Sequence, residues 1–227
     1  MLHGFPGTAR NDDISHALCR IGCVVIVPHH RGAWGSQGKY LITNCIQDAE
    51  NIANYARSRE FTEKYDVDAE NIYLLGHSMG GNSSLNAGRK LDWIRGIILL
   101  TPYDPTRYLN RDKEIYFHSL LQEGKILQSD GIDAIYKDVV ENQDEIRFEN
   151  AYNQLKDRNI LILAGTLDSI SPKEEMVDPL WNLLKEHETS ALQKLVLFPT
   201  EHGLIGRRIS TIKEIGKFIS DTYTSQA

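Results

Sequence analysis

Residues 72–81 read Ile72-Tyr73-Leu74-Leu75-Gly76-His77-Ser78-Met79-Gly80-Gly81. An apolar run of strand length enters a G-x-S-x-G pentapeptide, and helical sequence follows from about Met79. A sharp strand-to-helix turn of this kind lifts the hydroxyl of Ser78 above the sheet edge. Gly76 and Gly80 keep side chains out of the way where strand and helix meet. The N-terminus of the following helix offers backbone N–H groups with no partner of their own, aimed at any negative charge that develops nearby.

The pattern on either side fits this reading. Near-continuous apolar runs at 23–27, 72–75, 97–100, 160–164 and 195–198 are expected strands, covered on both faces as in a parallel sheet. Helical periodicity lies between them. In 44–57, Ile46, Ala49, Ile52, Ala53 and Ala56 recur every three or four residues, with Asn44 and Gln47 as the expected capped start. Ile212, Ile215 and Ile219 repeat that stripe near the C-terminus, beside Phe218. The alternation predicts an α/β protein with a mostly parallel central sheet flanked by helices. Residues 103–157 interrupt it, with helical runs around Ile132, Ile135, Val139 and Ile146 and no convincing strand, and are expected to be a helical insertion. The core is then 1–102 with 158–227.

A serine hydroxyl needs a base, and the base needs an acid to orient it. Asp168 follows the 160–164 run and His202 follows the 195–198 run, so both are expected at the carboxyl edge of the sheet with Ser78. Asp168 also suits a helix cap before Ser171-Pro172, and Asp104, just after the 97–100 run, is the rival acid. His3-Gly4-Phe5-Pro6-Gly7 is a glycine-rich turn whose Phe5 N–H could converge with that of Met79 into a two-donor oxyanion hole. His77 is expected to pack, His29 and His30 to be loop residues, and Cys19 and Cys23 to be core.

With H-G-F-P-G at 3–7, R-G-A-W-G-S-Q-G at 31–38, G-H-S-M-G-G at 76–81, Asp168 and His202, the chain resembles a serine hydrolase of the α/β-hydrolase superfamily. The 31–38 stretch is similar to esterases and to prolyl-oligopeptidase-type peptidases. The resemblance implies an eight-stranded sheet, a lid inserted after the sixth strand (residues 103–157 here), and acyl transfer through Ser78. A serine at 78 sets the chain apart from the branches whose nucleophile there is aspartate. His29 stands where relatives usually carry aspartate. The chain also begins at the tail of what the resemblance makes strand three, so the N-terminal strands are expected to be missing and the natural protein to extend upstream of Met1. Residues 23–27 and 72–75 would then flank a gap.

Composition narrows the class. The 25 Lys and Arg against 31 Asp and Glu leave a charge of −6 with no strongly basic run, which argues against phosphate-backbone binding and so against a nucleic-acid partner. No apolar stretch approaches a membrane span, and the N-terminus has no signal-peptide pattern. Cys19, Cys23 and Cys45 are odd in number and lack zinc-site spacing, which reads as reduced thiols in a cytoplasmic protein. The insertion is acidic, with Asp138, Glu141 and Glu145 on one helical face: a solvated face, or an anchor for a substrate amine. The expected activity is hydrolysis of small carboxylic esters without metal or organic cofactor. A peptidase acting on short peptides and a catalytically silent binding protein are the alternatives.

Overall fold

The computed structural model describes residues 1–8, 11–110 and 113–223. Four strands, β1 (Tyr73–His77), β2 (Gly96–Leu100), β3 (Ile160–Gly165) and β4 (Gln193–Phe198), pair in parallel in that order. Their side chains alternate between two cores, as the two-residue period of a strand requires. Leu74, Ile97, Leu99, Ile160 and Ile162 face one core, and Leu75, Ile98, Leu100, Leu161 and Leu163 face the other. Burial on both faces is why β1, β2 and β3 read as apolar runs, whereas β4, at the edge, is only half-buried.

On the first face lie α2 (Ile42–Arg57), which contributes Ile46, Ala49 and Ala53, and α4 (Met79–Gly88), which contributes Leu85. The second face is covered by α1 (Asp12–Arg20) and α11 (Arg208–Thr222) through Ile14, Leu18, Ile215 and Phe218. A short α3 (Arg59–Tyr65) follows α2, and α9 (Lys173–Met176) and α10 (Asp178–Lys185) join β3 to β4. Between β2 and β3 the chain forms α5 (Glu114–Leu121), α6 (Ile132–Glu141), α7 (Gln143–Ile146) and α8 (Tyr152–Leu155). These helices send Phe117, Leu121, Ile135, Val139 and Ile146 into the first core beside α2 and α4, so the insertion shares the interior of the sheet. No helix among the described residues is long and apolar enough to cross a membrane.

Residues 23–27 differ from expectation: they form no strand, and no strand among the described residues pairs with them. The chain start fills only the upper end of that place. Leu2 makes a single parallel bridge to Gly76, with Leu2 N–H donating to Leu75 O (2.7 Å) and His77 N–H donating to Leu2 O (3.2 Å). On its other side the Met1 amino group donates to Ile26 O (2.6 Å). Below Met1 the sheet opens into an apolar slot of about 330 Å³ lined by Val24, Ile26, Ala53, Phe61 and Leu75, among others. Backbone alternation along β1 turns the main-chain groups of Tyr73 toward this slot, on the side where Leu75 O meets Leu2. The described residues thus hold four of the eight strands the resemblance implies, plus this one bridge.

Two smaller expectations are also corrected. Helix α2 begins at Ile42 and not at Asn44, whose amide donates to Lys39 O (2.9 Å). Its first turn is capped from a distance by Asp138 of α6, which accepts from Thr43 N–H (3.0 Å) and Thr43 Oγ1 (2.6 Å). Cys19 is exposed on the outer face of α1 and Cys23 is half-buried beside the slot; only Cys45 is in the core.

Candidate active site

Ser78 sits between β1 and α4 with φ 56° and ψ −121°, a backbone that non-glycine residues rarely adopt. The turn is over-determined: Ser78 N–H donates to Leu100 O (2.9 Å), and Ser78 O accepts from Gly81 N–H (2.9 Å) and Tyr103 N–H (3.0 Å). A Cβ on Gly76 would lie 2.0 Å from Gly80 O, and one on Gly80 would lie 2.4 Å from Leu2 O. The two glycines of the pentapeptide are therefore imposed by contact of helix, strand and chain start.

Asp168 leaves the end of β3, and His202 leaves the end of β4. These two segments are laced together, with Thr166 N–H donating to Phe198 O (2.8 Å) and Leu167 N–H to Thr200 O (3.1 Å). Asp168 Oδ1 accepts from Ile170 N–H (2.9 Å) and Ser171 N–H (2.7 Å), so it does organise the turn before α9. Its Oδ2 lies 2.8 Å from His202 Nδ1, and His202 Nε2 lies 2.9 Å from Ser78 Oγ. With the ring proton on Nδ1, the imidazole donates to the carboxylate and accepts from the hydroxyl.

Asp104 is elsewhere engaged. It is fully buried, accepts from Thr106 N–H (2.9 Å), Thr106 Oγ1 (2.7 Å) and Phe148 N–H (3.2 Å), and lies 3.4 Å from the Arg107 guanidinium. Burial raises its pKa against the opposing pull of Arg107 and these donors.

The 3–7 turn lies against the serine: a Cβ on Gly4 would come within 3.0 Å of Ser78 Cβ. His3 Nδ1 is 2.8 Å from Gly4 O, His30 N–H donates to His3 Nε2 (3.4 Å), and Trp34 Nε1 donates to Pro6 O (3.0 Å). Met79 opens α4, so its N–H has no intrahelical acceptor. The insertion reaches the same place, since Gly124 faces the Phe5 ring so closely that a Cβ there would lie 2.3 Å from Phe5 Cζ.

The 31–38 stretch is a structural clasp. Arg31 binds Asp48 through Nε (2.5 Å) and through its own N–H (2.8 Å). Gly32, at φ 74°, passes so close to Gln128 O and Tyr40 N that no side chain fits. Behind it His30 is buried, 3.7 Å from the Asp48 carboxylate. Burial opposes its charge, yet Cys45 and Asp48 more than offset this and push its pKa up to about 9.

His77 holds more than the packing role expected of it. Its Nε2 lies 3.2 Å from the main-chain oxygen of His202, which also accepts from Thr101 Oγ1 (2.8 Å). Burial, and then the neighbouring His202, push its pKa down to about 4. Only its place beside Ser78 hinted at this in the sequence. No three or more His, Cys, Asp or Glu side chains among the described residues are grouped to hold a metal ion.

Several solved structures share this architecture. Esterase PF2001 of Pyrococcus furiosus superposes with a TM-score of 0.70 at 16% identity, over 98% of this chain and 80% of that one. Esterase Est22 gives 0.68 at 17%, over 98% and 68%. The monoacylglycerol lipase of Paleococcus ferrophilus gives 0.60 at 15%, over 98% and 93%. At such identities the likeness establishes the fold alone. No curated protein matches the sequence significantly. Residues 2–194 match a family model described as alpha/beta hydrolase fold, and the chain belongs to that family.

Proposed function

We propose that this chain is a serine hydrolase acting on small carboxylic esters, with Ser78 as nucleophile, His202 as general base and Asp168 as its orienting acid. The observation that carries this is the pair of contacts to one imidazole: Ser78 Oγ at 2.9 Å from Nε2 and Asp168 Oδ2 at 2.8 Å from Nδ1.

Ser78 Oγ attacks the ester carbonyl as Nε2 of His202 takes its proton, and Asp168 stabilises the imidazolium. The oxyanion is received by the N–H groups of Phe5 and Met79, each worth about 3 kcal/mol of barrier. The imidazolium returns its proton to the departing alcohol, leaving an acyl-serine. Water, deprotonated by the same base, then releases the acid. The insertion acts as the lid, its Gly124 set against Phe5.

Ester chemistry is favoured over peptide cleavage. The carboxylates an amine anchor would use are occupied: Asp138 caps α2, Glu145 pairs with Lys90, and Glu141 lies 3.5 Å from Lys137. The esterase and lipase names of the structural neighbours agree with this choice.

A fluorophosphonate probe tests the nucleophile. Covalent labelling is expected in the native protein and not in Ser78→Ala; a well-folded native protein that does not label would be a binding protein instead. A panel of p-nitrophenyl acyl esters run beside amino-acyl anilides tests the substrate class, and faster turnover of the anilides would overturn the ester assignment.

A further inference from the structure

The main-chain carbonyl of His202 is held by two side chains that arrive from different strands. We infer that His77 and Thr101 are positioning residues, which clamp this carbonyl and thereby fix the imidazole between Ser78 and Asp168. The inference rests on the serine-hydrolase reading.

His202 lies beyond the last ladder bond of β4, so strand pairing cannot locate it. Its carbonyl instead accepts from Thr101 Oγ1 (2.8 Å) and His77 Nε2 (3.2 Å). Both donors stand on fixed backbone. His77 N–H is bonded to Leu2 O (3.2 Å) and Thr101 N–H to Leu163 O (2.7 Å). His77 also immediately precedes the nucleophile, so a single stretch of backbone sets the places of hydroxyl and base.

Two further observations separate a clamp from ordinary packing. Thr101 has φ 39°, a genuine outlier for a β-branched residue, and it holds this backbone while its hydroxyl reaches His202. His77 Nδ1 is buried without a hydrogen-bond partner, which assigns the ring proton to Nε2, where it faces the carbonyl. The low pKa of His77 keeps the ring a neutral donor across the working range. The charged groups around the pair are Asp168, Glu201 and Arg208.

The experiment uses the full chain and four variants: His77→Leu, Thr101→Val, their double, and His77→Gln, whose amide keeps a donor. Two quantities are read on protein shown to be folded: the rate of Ser78-dependent fluorophosphonate labelling, and the split between kcat and KM for an activated ester. Each loss-of-donor variant should label about tenfold more slowly and the double about a hundredfold, with KM within about twofold. The kcat for the ester should fall by the same factors, because a displaced imidazole is misaligned for proton transfer once substrate is bound. His77→Gln should recover most of the rate.

Folded His77→Leu and Thr101→Val proteins with native labelling rate and native kcat would overturn the clamp. A His77→Gln protein as slow as His77→Leu would also count against it. Should His77→Leu fail to fold, Thr101→Val decides by the same two readings. Labelling that survives Ser78→Ala would sink the nucleophile assignment itself, a different failure.

Discussion

His202 Nδ1 lies 2.8 Å from Asp168 Oδ2, while the other oxygen of the same carboxylate accepts two backbone N–H groups, from Ile170 and Ser171. The acid is therefore immobilised by its own turn, and the imidazole orients against a fixed partner. Asp104, the other strand-end carboxylate, spends its oxygens on Thr106 and Phe148.

Exchanging the two acids separately should give opposite signatures. Asp168→Asn should fold normally and lower kcat by about 10⁴-fold, since the amide favours the wrong tautomer of His202. Asp104→Ala should keep kcat within about tenfold while losing about 1–3 kcal/mol of stability, as the buried donors around it lose their acceptor. Steady-state kinetics and urea unfolding on both variants check this.

The backbone at Ser78 is strained for the sake of its position. Ser78→Gly, free of the penalty for positive φ, should raise the stability of the protein by about 1 kcal/mol while abolishing labelling. Thermal unfolding of the two proteins side by side measures the gain. Gly76→Ala should not fold, because its methyl would meet Gly80 O at 2.0 Å.

Stability should fall on both sides of neutrality, for two histidines with opposite shifts. His77 binds its proton near pH 4 in the folded state and near 6.5 unfolded, so the unfolded chain takes up the extra proton and stability is lost as pH drops from about 6.5 to 4. His30 keeps its proton up to about 9, so its contribution is complete below about 6.5 and is lost as pH rises through 9. Unfolding free energies across pH 4–10 should flatten on the acid side in His77→Gln and on the alkaline side in Asp48→Asn.

The slot in the sheet should respond to filling. Ala53 lines it from α2, and Ala53→Leu places added methyl groups in open apolar space. A gain of about 1 kcal/mol is expected, and Leu75→Ala, which enlarges the slot, should cost about 2–5 kcal/mol. Calorimetric melting of both variants is the measurement.

What was legible in the sequence follows the range of the interactions concerned. The turn at Ser78 is written in a few adjacent residues because Gly76 answers Gly80 within the motif, although Gly80 itself answers the distant chain start at Leu2. The strand runs were readable because burial on both faces leaves a continuous apolar signature. Residues 23–27 carry that signature too, yet form no strand and stay partly exposed along the slot, since an apolar run does not by itself supply a pairing neighbour. The start of α2 is not written locally, because its cap, Asp138, lies 95 residues away. The contact of His77 is hidden from the sequence for the same reason, its partner being 125 residues further on. Asp168 and Asp104 each follow a strand, and the strand-end stretch Gly165-Thr166-Leu167-Asp168 is what favours the former in the sequence. The structure brings Asp168 to His202.

The lacing of the 166–168 and 198–200 segments has a mechanical consequence. Because Thr166 and Leu167 are tied to Phe198 and Thr200, Asp168 and His202 ride on one shared platform on the β3–β4 side of the sheet, whereas Ser78 stands at the end of β1, two strands further across. Any shift of that platform carries His202 and Asp168 together and bears first on the gap to the serine, which the contacts of His77 and Thr101 to His202 O span. The weak joint of the relay is thus between imidazole and hydroxyl, and that joint is where a crowding substrate or a distant substitution would first be felt.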